Sequence, residues 1–288
     1  MKIAASILAS CLLFAAASAT AQPAVVEAVQ YPAWLERGGH EVPLSPGLAL
    51  QAQDRLRTGM NARVQLRLGE GSTVKLGENA RFTVERIEDR GTFRAALGVI
   101  AGAFRFTTNK VAGDRPRDIA IKVRSVTAGI RGTDLWGKST EERDLVCLLE
   151  GRITVAAEGA AEVTLGQPRD FYEKTRDAPA KVSRGDAKQI EEWSRETEIA
   201  SDGPVARLGG RWRVVAAKYE TRDPALAMNR RLRAAGYPAE ILGPQDGIYT
   251  IQIPGLAGES EARAVMASVR GVRGVSIPAV SETPVRNR

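Results

Sequence analysis

Side chains that commonly carry enzyme chemistry are scarce in this sequence. It has one histidine, His40, and two cysteines, Cys11 and Cys147. That nearly excludes a His/Cys zinc site, a disulfide framework and more than one arrangement of a Ser-His-Asp triad. Chemistry based on carboxylates alone survives. Yet the adjacent acids Glu88-Asp89 and Glu141-Glu142 sit beside other charges, as solvated faces do, with no flanking glycosidase motif. No catalysis, metal or cofactor is expected. The sharpest local motif is Arg131-Gly132-Thr133. It reads either as a contact loop or as the start of a strand. In the second reading the glycine permits a tight turn, Thr133 bonds backbone and Arg131 pairs with a carboxylate. His40 follows Arg37-Gly38-Gly39 and reads as an exposed loop residue. Cys147, inside Val146-Cys147-Leu148-Leu149, reads as a small core residue.

The elements that must position these residues begin after residue 21. Lys2 precedes an uncharged, mostly apolar run to Ala17, and Ala19-Thr20-Ala21 is a small-x-small cleavage site. Residues 1–21 are therefore expected to be a secretory signal, cleaved after Ala21, that delivers the chain to the periplasm. Leu8-Ala9-Ser10-Cys11 matches a lipobox, but Leu12, Leu13 and Phe14 continue the apolar run past Cys11. No later segment reaches the roughly 20 apolar residues of a spanning helix, so no integral membrane segment is expected after cleavage. The 288 residues are 43% hydrophobic and 26% charged, which supports a buried core. Aromatics, at 5%, are too few for a large aromatic-lined cleft.

Residues 22–167 alternate with period two. Examples are Val64-Gln65-Leu66-Arg67-Leu68, Phe82-Thr83-Val84-Glu85 and Ile119-Ala120-Ile121-Lys122-Val123. Glycine turns at Thr58-Gly59, Gly69-Glu70-Gly71 and Glu150-Gly151 punctuate them. This predicts an all-β N-terminal domain of short strands, arranged as a sandwich, a roll or a solenoid-like stack. Gln53-Asp54-Arg55-Leu56-Arg57-Thr58-Gly59, Gly71-Ser72-Thr73-Val74-Lys75-Leu76-Gly77, the run from Val123 to Asp134, and Leu149-Glu150-Gly151-Arg152-Ile153-Thr154-Val155 together resemble a FecR domain. Gln53 stands where that family commonly has glycine, and Glu70 where it commonly has aspartate. The resemblance implies a non-catalytic extracytoplasmic domain that binds a protein or other envelope ligand, its partner unnamed. Arg131, Gly132 and Thr133 are its candidate contact loop.

Residues 168–208 change texture and are expected to be a linker containing one helix over 186–199, with Asp186 as its N-cap and Trp193 docking on the β domain. Ser201-Asp202-Gly203-Pro204 is the expected hinge. Residues 209–281 then repeat a β-α-β pattern twice, which predicts an α+β, ferredoxin-like β-α-β-β-α-β domain. In it, Asp223 is the expected N-cap of the first helix and the last strand covers 275–277, leaving 282–288 as a tail. This part carries ten basic against six acidic residues, net +4 of the chain's +7.

Trp212-Arg213-Val214-Val215-Ala216-Ala217-Lys218-Tyr219, Leu232-Arg233-Ala234-Ala235-Gly236-Tyr237 and the run from Ile248 to Gly255 resemble a SPOR domain. Val215 stands where that family often has glutamine, and Ala217 and Pro254 replace common glycines. The resemblance implies binding to peptidoglycan, notably to glycan strands stripped of stem peptides. Strand alternation puts Trp212, Val214, Ala216, Ile251 and Ile253 toward the helices. It puts Arg213, Val215, Thr250, Gln252 and Ser276 on the open face. A nucleic acid partner is not expected, because the strands lack the stacked aromatics that RNA-binding versions of this frame use. The rival reading is an envelope signalling or assembly adaptor in which both domains bind proteins.

Overall fold

The computed structural model describes residues 23–108, 116–130, 132–275 and 278–282. The leader, Arg131 and Ser276 lie outside the described residues. The first strands are β1 (Ala24–Gln30), β2 (Ala33–Arg37), β3 (His40–Pro43), β4 (Arg55–Thr58), β5 (Arg63–Leu68), β6 (Thr73–Leu76), β7 (Arg81–Arg90) and β8 (Thr92–Thr107). Then come β9 (Arg117–Val123), β10 (Val126–Ile130), β11 (Asp134–Ser139), β12 (Arg143–Glu150), β13 (Ile153–Ala157), β14 (Val163–Leu165), β15 (Asp170–Thr175) and β16 (Lys181–Arg184). After them run α1 (Ala187–Arg195), β17 (Val205–Arg207), β18 (Trp212–Tyr219), α2 (Arg222–Ala234), β19 (Glu240–Gln245), β20 (Ile248–Leu256), α3 (Glu259–Val269) and β21 (Ala279–Glu282).

The chain is mostly β, and its N-terminal part consists of two sheets that share β8. One sheet has the order β16-β15-β12-β11-β8-β6-β5-β1-β17. The other has the order β3-β2-β4-β7-β8-β9-β10-β13-β14, with only the β8–β9 pair parallel. The switch falls at Gly102. Ala101 still pairs with Arg81 of β7, whereas Gly102 already pairs with Ser139 of β11. Gly102 has φ +82°, and a Cβ there would lie 2.6 Å from the Ala80 Cα. Glycine is required both by dihedral and by space. On either side of the bend, Phe93, Leu97, Val99, Phe104 and Phe106 are all buried in one continuous core. Burying each such side chain contributes about 1.5–3 kcal/mol.

Buried carboxylates fasten the strand ends. Asp54 accepts from Arg37 Nε (2.7 Å) and Nη2 (2.6 Å) and from the Gln51 N–H (2.8 Å). Asp144 accepts from Arg176, Ser125 and Ser139. Burial by itself would raise the Asp144 pKa, but these donors hold the carboxyl below the usual carboxylate range.

The predicted helix forms, and Asp186 caps it by accepting from the Gln189 N–H at 2.9 Å. Trp193 stacks on Trp136 (centroids 5.0 Å apart) and meets Phe171 edge-on (5.6 Å). Such aromatic pairs add about 0.5–1.5 kcal/mol each beyond area burial. The rest of the expected linker departs from the expectation. β15 and β16 extend the first sheet, and Glu173, buried among Arg143 and Lys181, lets a polar segment sit there as a strand. The expected hinge is tied down as well. The Tyr31 N–H donates to Pro204 O, and Gln30 Oε1 accepts from the Ala200 N–H.

The C-terminal part is a four-stranded antiparallel sheet in the order β19-β20-β18-β21. Ala225, Met228 and Leu232 of α2, with Ala262, Val265 and Val269 of α3, are buried with Val214, Ala216, Ile251 and Ile253. One detail corrects the sequence expectation. The N-cap of α2 is Thr221, with Asp223 in the first turn. Residues 276 and 277 of the expected last strand lie outside the described residues, and the last described strand is Ala279–Glu282, which pairs with Val215 to Trp212. The two parts are joined through β17, which pairs with β1 and contacts β20 at Ala206↔Leu256. Trp34 Nε1 donates to Ala234 O (3.3 Å) beside the Tyr31–Tyr237 ring pair.

Two outcomes are expected. Gly102→Ala loses about 2–5 kcal/mol in urea unfolding, from strained dihedral plus overlap. Gly91→Ala, with φ +76° but open space, loses about 1–2 kcal/mol. Equal losses would show that the bend is not sterically locked. Cys147 is fully buried against Trp136, Leu145 and Ile190, and burial, with Asp170 nearby, pushes its thiol up to about 12. Iodoacetamide at pH 8.5 should therefore leave Cys147 unlabelled in the native chain and label it fully in urea, read by peptide mass. Rapid native labelling would mean that the α1 cluster opens freely.

Candidate functional site

Two sets of candidates came from the sequence, one in each part of the chain. In the first, Gly132 has φ +69° and nothing within 4 Å of a would-be Cβ, so its requirement is conformational. Thr133 is buried. Its N–H donates to Thr108 Oγ1 (3.0 Å), and its carbonyl accepts from the Thr108 N–H (2.9 Å). The backbone thus stitches the turn to the end of β8. Among the described residues the Thr133 hydroxyl finds no hydrogen-bond partner, so the expected side-chain bond to backbone is not seen there. A buried threonine is not available as a contact residue. His40 is exposed as expected, but it starts β3 rather than lying in a loop.

The two family departures have visible consequences. Gln53 takes φ +71°, the left-handed region that favours glycine, and its amide donates to Glu85 O at 3.0 Å. Glu70 is buried and accepts from both the N–H (2.8 Å) and the hydroxyl (2.9 Å) of Ser72, holding that turn closed.

In the C-terminal part, the pairing Val215↔Gln252 and Arg213↔Ser281 puts these residues on one side of the sheet, away from α2 and α3. Arg213 lies across three strands. Its Nε donates to Ser281 Oγ (2.9 Å) on β21 and its Nη1 to Gln252 Oε1 (3.2 Å) on β20. Beyond an irregularity in β18 at residues 215–217, Lys218 pairs with Thr250, which continues the polar row. Thus Arg213, Val215, Thr250 and Gln252 share the predicted face, and the structure adds Ser281 and Lys218. Ser281 was missed because residues 279–282 were not read as a strand. Their alternation, Ala279-Val280-Ser281-Glu282, was the available signal. Gln252 is on the right face but only 7% exposed, so Arg213 and the neighbouring strands cover most of its amide.

This face can do one kind of chemistry. It offers fixed hydrogen-bond donors and acceptors on an open surface, with Arg213 and Lys218 as cations and Glu240 beside Gln252. Among the described residues, no group of three or more His, Cys, Asp and Glu could hold a metal ion. No described helix is long and apolar enough to cross a membrane.

Comparison with known proteins bears on both parts. Residues 54–154 match the family model described as FecR protein, and residues 208–278 match the one described as SPOR domain. Among solved structures the chain is similar to two crystal structures of a candidate anti-sigma factor from Parabacteroides distasonis. The first shares 14% identity at a TM-score of 0.41 and covers 49% of this chain and 64% of that one, so less than two thirds of its length is spanned. The second shares 11% identity at the same TM-score, covering 64% and 75%. No curated protein matches.

Proposed function

We propose that this chain, which carries a FecR domain and a SPOR domain, is a non-catalytic periplasmic binding protein that holds peptidoglycan glycan through its C-terminal part. The FecR-like domain then presents a surface to a protein or other envelope ligand. The SPOR-like residues 209–281 form a ferredoxin-like β-α-β-β-α-β frame, and residues 1–21 act as the export signal cleaved after Ala21.

The observation that carries this reading is the row Ser281–Arg213–Gln252, which spans three strands of the open face. Hydroxyl-rich glycan needs partners that both donate and accept, spaced along an extended surface. Arg213 donates, Gln252 does both, and Thr250 with Ser281 adds hydroxyls. Net charge of +4 draws an anionic polymer toward this part as a whole, and Arg213 and Lys218 are cations on the open face. The second reading, an adaptor whose two domains both bind proteins, draws on the near burial of Gln252 and on Val215 in place of a glutamine.

Sedimentation with isolated sacculi separates the two. The full chain should pellet with sacculi, and better once amidase has removed the stem peptides. Exposed charge is screened over about 8 Å at physiological salt, so a charge-only attachment would vanish in high salt while glycan hydrogen bonds persist. Gln252→Ala should weaken the salt-resistant part by about 0.5–1.5 kcal/mol, and Val215→Gln should strengthen it. A chain that stays in the supernatant at low salt with either kind of sacculus would refute glycan binding and give the lead to the adaptor reading.

A further inference from the structure

The outward side of β9, β10, β13 and β14 forms a groove of about 650 Å³. Its floor is a single row across the four strands, Ala120↔Gly129↔Thr154↔Thr164, set by the register. Small side chains in that row keep the floor low, so a ligand can approach the sheet backbone. The two threonine hydroxyls supply donors and acceptors. Four charged residues line the groove, Arg117 and Arg152 against Asp118 and Glu162.

None of the four takes part in an ion pair, with one another or with any other described residue. Other cations of the same domain do have carboxylate partners. Arg105 is paired with Asp134, Arg143 with Glu173 and Arg176 with Asp144. The Nη1 atom of Arg117 is shielded from solvent and donates to no described acceptor. A buried donor without a partner costs about 1–3 kcal/mol, more when charged.

We propose that this groove binds a short extended peptide that carries both free carboxylate and free ammonium groups. Charge complementarity favours such a ligand. Two unpaired cations and two unpaired anions suit a ligand of both signs. A polyanion would meet Asp118 and Glu162, and an apolar segment would strip water from four charges. A saccharide would find no aromatic ring to stack on, since no aromatic side chain lines the groove. The site is separate in place from the C-terminal glycan face and does not depend on it.

The test is calorimetric titration of the full chain with the tetrapeptide Ala-Glu-Lys-Ala bearing free termini. Controls are the acetylated, amidated Ala-Gln-Gln-Ala and a tetramer of N-acetylglucosamine. The free peptide should bind at least tenfold more tightly than the blocked one, and its affinity should fall as salt rises. Arg152→Gln and Glu162→Gln alter exposed side chains without ion-pair partners, so the fold should be kept, as circular dichroism would verify. Each should weaken the free peptide at least fivefold, while sedimentation with amidase-treated sacculi stays unchanged. Absence of heat at millimolar peptide, equal binding of the blocked peptide, preference for the sugar tetramer or indifference to both substitutions would each overturn the proposal. None of those results would touch the glycan reading, which is read on the sacculi.

Discussion

A strand that serves two sheets must turn its hydrogen-bonding edges from one set of neighbours to another within a single residue. β8 does so at Gly102, and the arrangement of the N-terminal part follows. Before the bend its edges hold β7 and β9; after it they hold β6 and β11. Each half then recruits further strands outward until the two sheets enclose one core. Because Ala80 sits against the bend, the β7 hairpin and the sheet switch are packed as one unit. The same bend fixes where β9 lies, and through it the four-strand surface that carries the charged groove.

A second constraint closes the other end of the domain. β15, β16 and α1 look like connecting chain, yet they complete the first sheet and cover its outer side with the Trp136–Trp193–Phe171 cluster. Cys147 lies under that cluster as filler, its thiol held in the protonated form. The buried carboxylates Asp54 and Asp144 act similarly as fixed points. Asp54 takes Arg37 from 17 residues away and Asp144 takes Arg176 from 32, so each ties distant segments together.

Alternation and glycine spacing made the strands of the first domain and the β-α-β-β-α-β order of the second legible. Physical context decided the rest. Residues 168–184 read as linker because Asp170, Glu173 and Arg184 break the apolar pattern. Their charges are compensated by partners that only the fold brings close, such as Arg143 for Glu173. The helix start at Thr221 was misplaced because Asp223-Pro224 imitates a cap, though aspartate is also favourable in a first turn. At the candidate face, parity identified the side on which Arg213 and Gln252 lie. It could not show that one covers the other, since that depends on how a long guanidinium side chain spans the strands. The buried Thr133 was hidden for the same reason: a motif gives residue types, and accessibility comes from what packs above them.

β17 is three residues long, but it is hydrogen-bonded to β1 and touches β20 at Ala206↔Leu256, beside the Trp34–Ala234 bond. A rope between two bodies transmits tension and nothing else; a bracket also transmits torque. With these attachments the two parts form a bracket. If the C-terminal sheet is laid along a polymer strand, the azimuth and tilt of the N-terminal sandwich are set at the same moment, so its groove faces a defined direction instead of sweeping a cone. Loosening β17 from β1 would leave every residue of both surfaces in place and remove only that aim.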